Sequence, residues 1–152
     1  MKKLVIESLN ELRNFEKRKD PLSSLGIGKR KLIEDWLRPF RMQIHNYEID
    51  DNFNININCS VYLSMLGIEK FPEYIQFGKI DGDFDVYGNK LVSLRGCPCI
   101  VNGFFDCDKN NLITLEGCPS IVSECFSCSN NAKKFTVDDI KKYCKKFKSC
   151  AV

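Results

Sequence analysis

Apolar and polar positions in the middle of the chain follow an order that recurs. The pattern Phe84-x-Val86-x-x-Asn89-x-Leu91-x-x-Leu94 returns, without a gap, as Phe105-x-Cys107-x-x-Asn110-x-Leu112-x-x-Leu115, an offset of 21 residues. Gly82 matches Gly103, Gly-Cys-Pro recurs at 96–98 and 117–119, and Ile100-Val101 recurs as Ile121-Val122. A truncated third unit, 124–135, keeps Phe126, Cys128 and Asn131 but places Ala132-Lys133-Lys134 where leucines are due, so the array is expected to stop there. A degenerate copy precedes them over 61–81 at an offset of 23, with Val61, Leu63, Ile68 and Phe71 in the apolar slots.

A repeat of this length implies a stack of similar layers, each burying its apolar face against its neighbours. Strand side chains alternate faces, so Phe105 and Cys107 are expected to point inward while Phe104, Asp106 and Asp108 point outward. The asparagine can bond backbone groups where the chain turns away. The two leucines then close the layer, and Gly-Cys-Pro punctuates the return. A 21-residue unit leaves little room for an outer helix, so an extended or 3-10 return is expected. Cys107 occupies the slot of Val86 and Leu63, which makes it a core position rather than a reactive thiol.

The pattern resembles the leucine-rich repeat. It is similar, more narrowly, to small leucine-rich-repeat-like proteins of large tailed bacteriophages, a likeness that extends to "LGIGKRKLIEDWL", "FPEYIQFGKIDGDF" and "KKFTVDDIKKYCK". The resemblance implies a β-rich solenoid and a phage origin, and it implies no reaction.

The flanks read as caps. Leu4, Val5, Leu9, Leu12 and Phe15 fall at helical spacing over 3–18, and 19–31 reads as a Pro, Gly and Ser linker. A second helix is expected over 30–40, ending near Pro39, with Trp36 and Leu37 on the first unit. Residues 47–64 alternate cleanly, with Phe53, Ile55, Ile57 and Cys59 on one side, which predicts one or two strands leading into the array. Thr136 with Asp139 three residues on predicts a capped helix whose face is Val137, Ile140, Tyr143, Cys144 and Phe147, with late lysines suiting the helix dipole. The expected fold is therefore a β-rich α+β solenoid in one compact domain. It comprises a helical and strand lead-in over 1–60, the array over 61–135 and a C-terminal capping helix over 136–152.

Composition changes the picture in two ways. The 152 residues, 43% hydrophobic and 28% charged, suit one soluble domain with a real core. Leu4-Val5-Ile6 is too short for a secretory apolar region, so a cytoplasmic location with reduced thiols is expected for the nine cysteines. The net charge of +3 conceals a division: residues 51–131 carry 10 acidic and 5 basic residues, while 132–152 carry 7 basic and 2 acidic.

Candidate chemistry is thin. One C-x-x-C, Cys125 to Cys128, does not supply the four ligands of a structural zinc, and no metal or other cofactor is expected. His45 is the single histidine, "GIGK" at 26–29 lacks the remainder of a phosphate loop, and no catalytic residues are assigned. The lysine face of the last helix reads as a solvated face rather than a nucleic-acid site, and no membrane contact is expected. Protein binding remains. The outward positions Asp83, Asp85 and Tyr87, then Phe104, Asp106 and Asp108, then Cys125, Ser127 and Ser129 form the candidate partner face, acidic with aromatic anchors, suited to a partner with a basic patch. A minor virion component is the alternative reading.

Overall fold

The computed structural model describes residues 26–152, so the amphipathic helix expected over 3–18 lies outside the described residues. The chain winds as a β-solenoid of about five turns with a 21-residue period. Helix α1 (Gly26–Leu37) continues into a 3-10 turn, Arg38–Phe40. Then come β1 (Tyr47–Ile49), β2 (Ile55–Ile57), β3 (Val61–Tyr62), β4 (Phe77–Ile80) and β5 (Phe84–Asp85). They are followed by β6 (Ile100–Val101), β7 (Phe105–Asp106), β8 (Ile121–Val122), β9 (Cys125–Ser127), helix α2 (Val137–Tyr143) and β10 (Ser149–Ala151).

These strands form two five-stranded sheets, ordered β1-β2-β4-β6-β8 and β10-β9-β7-β5-β3. Every pairing is parallel except the β1–β2 hairpin. The sequence repeat is the pairing register itself, since Phe84 pairs with Phe105 and Phe105 with Phe126. Each turn therefore has a strand in one sheet, a corner, two inward leucines, a Gly-Cys-Pro corner and a strand in the other. The return segment is extended, and Ile100–Val101 and Ile121–Val122 pair across turns to build the second sheet.

Burial follows the repeat. Phe84, Val86, Leu91, Leu94, Phe105, Cys107, Leu112 and Leu115 are all buried. The phenylalanines form a column along the solenoid axis, with centroid separations of 5.2 Å for Phe77–Phe84, 6.2 Å for Phe84–Phe105 and 5.0 Å for Phe105–Phe126. Trp36 closes this column at the N-terminal end, lying 5.9 Å from the Phe71 ring and 6.2 Å from Phe77. A solenoid's terminal layer needs such a cover.

Asparagines tie the turns together. Asn89 Nδ2 donates to the carbonyls of Val86 in its own turn and Leu63 in the turn before, while its Oδ1 accepts from the N–H groups of Leu66 and Ile68. Asn110 donates to Val86, Cys107 and Asp108 and accepts from Leu91 N–H. Asn131 repeats the arrangement with Cys107, Cys128 and Leu112. The residue before each asparagine's place in the repeat turns left-handed: Met65, Gly88, Lys109 and Asn130 have φ of 57°, 65°, 51° and 55°.

Three expectations need correction. The linker drawn to residue 31 ends sooner, because α1 starts at Gly26. Ile33, Trp36, Leu37 and Phe40, at helical spacing, bury one face, and burial outweighs the modest cost of glycine in the first turn. The lead-in of one or two strands is three, because Asp50 accepts from the N–H groups of Asn52 and Asn54 and turns β1 back on β2. The C-terminal helix expected over 136–152 ends at Tyr143. Its start is as expected, with Thr136 and Asp139 closing a reciprocal capping box. Beyond it Lys145 and Lys146 run along β8, and Ser149–Ala151 pair with β9. The open edge of β9 offers hydrogen bonds that a longer helix would leave unmet. Lys145, Lys146 and Lys148 are accordingly no part of a helix terminus. No described helix is long and apolar enough to cross a membrane.

Candidate functional site

The candidate partner residues lie on the outer side of the β3–β5–β7–β9 sheet, in three columns set by the parallel register. Ser60, Asp83, Phe104 and Cys125 form one, Tyr62, Asp85, Asp106 and Ser127 the second, and Ser64, Tyr87, Asp108 and Ser129 the third. Cys125 is half-buried while Cys128, three residues on, is buried in the core.

Most of the carboxylates have structural duties. Asp85 Oδ1 accepts from Tyr87 N–H at 2.8 Å and Asp106 Oδ1 from Asp108 N–H at 2.9 Å, each closing the bend after its strand. Asp108 Oδ1 accepts from the Ser127 hydroxyl at 2.7 Å and from Ser129 N–H at 2.6 Å. Asp83 accepts from Phe104 N–H and from the Tyr62 hydroxyl. Ser127 and Ser129 thus serve Asp108 and are half-buried. The recurrence of aspartate is in good part a recurrence of turn chemistry.

Two aromatic rings stand free of this network's interior. Phe104 is 53% exposed and Tyr62 is 52% exposed. Tyr62 escaped the sequence reading because it sits in the degenerate unit, yet its place 23 residues before Asp85 marks it as a face position. Lys109, also not singled out, holds its ammonium 5.1 Å from the centroid of the half-buried Tyr87 ring.

Asp106 is the most perturbed carboxyl of the face. Burial pushes it up to about 6, a bond from the Asp108 N–H pulls the other way, and the negative charges of Asp108 and Asp85 add to the rise. A raised carboxyl favours the folded state when protonated, so this contribution is full below about pH 4 and is lost as pH rises through 6. Asp106→Asn, which keeps the acceptor oxygen, is expected to stabilise the protein at pH 7 by about 1 kcal/mol after discounting for partial exposure. That advantage should vanish at pH 4. Paired thermal melts from pH 4 to 7 check it, and a pH-independent difference would refute the assignment.

Four of the thiols sit where burial disfavours the thiolate. Burial pushes the Cys97 and Cys107 thiols well up, and Cys118 and Cys128 up to about 12, which keeps them protonated and poorly nucleophilic. His45 is exposed, and the Cys59 thiol donates to its backbone carbonyl at 3.4 Å. Among the described residues no three His, Cys, Asp or Glu side chains converge where a metal ion would sit. On the other side of the turns the stacked Gly-Cys-Pro corners leave an open groove of about 640 Å³ between Phe71, Ile75, Val92 and Arg95. No family model, curated protein or solved structure matches this chain.

Proposed function

We propose that this chain is a non-enzymatic protein-interaction module. In this reading its units are leucine-rich repeats of the kind found in small proteins of large tailed bacteriophages. It acts as a phage accessory protein in the host cytoplasm, holding a basic patch of a host or virion protein against the outer face of the β3–β5–β7–β9 sheet. The observation that carries this reading is the pair of rings, Tyr62 and Phe104, each about half exposed on a sheet lined with carboxylates. Interfaces concentrate their energy in aromatic anchors, and surrounding charge selects and steers the partner. The repeat segment 51–131 carries a net charge of −5, which favours a basic partner.

The test is affinity capture from host lysate with the tagged protein, compared with Asp85→Asn/Asp106→Asn and with Phe104→Ser. Asparagine keeps the acceptor that closes each bend, so the double variant removes charge while preserving the fold. One protein retained by the wild type and lost by both variants is the expected result. Equal capture by all three would overturn the face assignment. Recovery of the chain in purified particles, with no host protein bound, would replace this reading with that of a minor virion component.

A further inference from the structure

A cation on the candidate face is seated on an aromatic ring. Residues 51–131 hold five basic side chains, and one of them, Lys109, lies over the Tyr87 ring of the third column. Two of the others are paired away from this face, Lys79 with Asp81 and Arg95 with Glu116. Lys109 stands at the left-handed corner that Met65, Gly88 and Asn130 occupy in the other turns. In its turn alone does that corner place a cation over a ring of the turn before, Tyr87.

The surroundings favour a positive charge at this spot. Asp108 is the adjacent residue, and Asp85 and Asp106 lie one column away. Each of the latter two uses Oδ1 to close its bend, and its Oδ2 takes no hydrogen bond from the described residues. The Lys109 ammonium is held above its usual range, chiefly by the neighbouring Tyr87 side chain and further by the Asp108 carboxylate. An electron-rich ring face flanked by carboxylates attracts ammonium and guanidinium groups alike. Guanidinium is the more weakly hydrated of the two and stacks on a ring face, so arginine competes well for such a place.

We propose that the Tyr87 ring with Asp106 and Asp108 is the seat for a lysine or arginine side chain of the protein partner, and that Lys109 fills it in the free chain as a built-in competitor. This rests on the binding-face reading and names the chemistry the face recognises. A partner cation gains the ring only by displacing Lys109, so the seat admits basic segments that bring several charges at once and rejects isolated ones.

The experiment uses the full chain and a blocked tetra-arginine peptide as the probe, followed by carbon-13 NMR of the Lys109 ε-methylene. In the free protein that signal should carry the upfield ring-current shift of a group over an aromatic face, and peptide should return it toward its ordinary position. Lys109→Ala should tighten peptide binding about fivefold, the scale of one cation–π contact. The gain should exceed that of Lys90→Ala, which removes the same charge elsewhere on the array. It should disappear when Tyr87→Leu is added. If Lys109→Ala gains no more than Lys90→Ala, or the ε-methylene signal does not move, the seat is refuted. Were the peptide still lost from Asp85→Asn/Asp106→Asn, the seat alone would fall and the face would stand. Were that variant to bind it as well as the wild type, both readings would fall together.

Discussion

Replacing Asn110 with alanine is expected to cost about 3 kcal/mol, a large effect for a single polar side chain. The side chain is buried and serves two turns at once. Its Nδ2 donates to the Val86 carbonyl at 3.0 Å, the Cys107 carbonyl at 3.1 Å and the Asp108 carbonyl at 3.2 Å, and its Oδ1 accepts from Leu91 N–H at 2.9 Å. Alanine leaves the Leu91 N–H inside the solenoid with no partner, at a cost of about 1–3 kcal/mol, and takes one of two donors from each of the three carbonyls. The carbonyls are not left bare, because those of Val86, Cys107 and Asp108 also accept from Asn89, Asn131 and the Gly88 N–H. Asn111, the next residue, is exposed, and Asn111→Ala should fall within about 0.5 kcal/mol of the wild type. Urea unfolding of the two variants checks the claim. A difference below about 1 kcal/mol between them would mean that the asparagine ladder does not hold the turns together.

The second large effect belongs to Gly117. Its φ is +89°, in the left-handed region where side chains are strained. A Cβ there would lie 2.7 Å from the backbone nitrogen of Arg95 and the carbonyl carbon of Leu94, and 2.8 Å from the Leu94 oxygen. These are backbone atoms of the turn before, so no side-chain rotation relieves the clash. Gly117→Ala should therefore cost about 3 kcal/mol or more, combining backbone strain with forced separation of two turns. Gly67 is the internal control. Its φ is +71°, but a Cβ there meets nothing within 4 Å. Gly67→Ala should pay only the strain, about 1 kcal/mol. Similar losses at both positions would show that close stacking of the Gly-Cys-Pro corner adds nothing, and the account of that corner would fail.

Both predictions concern residues that the repeat makes conspicuous, and what the repeat conveyed about each differs. Asn110 stood out as a turn residue bonding nearby backbone. That half is visible in its bonds to Cys107 and Asp108. The other half, its bonds to Val86 and Leu91 one turn away, depends on how closely successive turns stack, and spacing along one unit does not contain that distance. Gly117 read as punctuation. Its role in letting one turn approach the next appears only once Leu94 and Arg95 are placed beside it.

The candidate face divides in the same manner. Alternation correctly placed Asp85 and Asp106 on the side away from the phenylalanine column, because strand geometry alone sets that. The half-burial of Asp106, and the rise of its carboxyl to about 6, come from neighbours in adjacent turns. The link between Lys109 and Tyr87 crosses 22 residues and likewise had no local signal.

The sequence by itself determined the period, the inward residues of each unit, the Trp36 cover and the Thr136–Asp139 cap, because each rests on side-chain alternation or on bonds within a few residues. Only the tertiary structure decided that two-residue segments such as Ile100–Val101 are strands, that Ser149–Ala151 extends a sheet rather than a helix, and which carboxyl is desolvated. Segments so short have no conformation of their own. They become strands when a neighbouring turn presents an unpaired edge at hydrogen-bonding distance, and that edge exists only after the solenoid has wound.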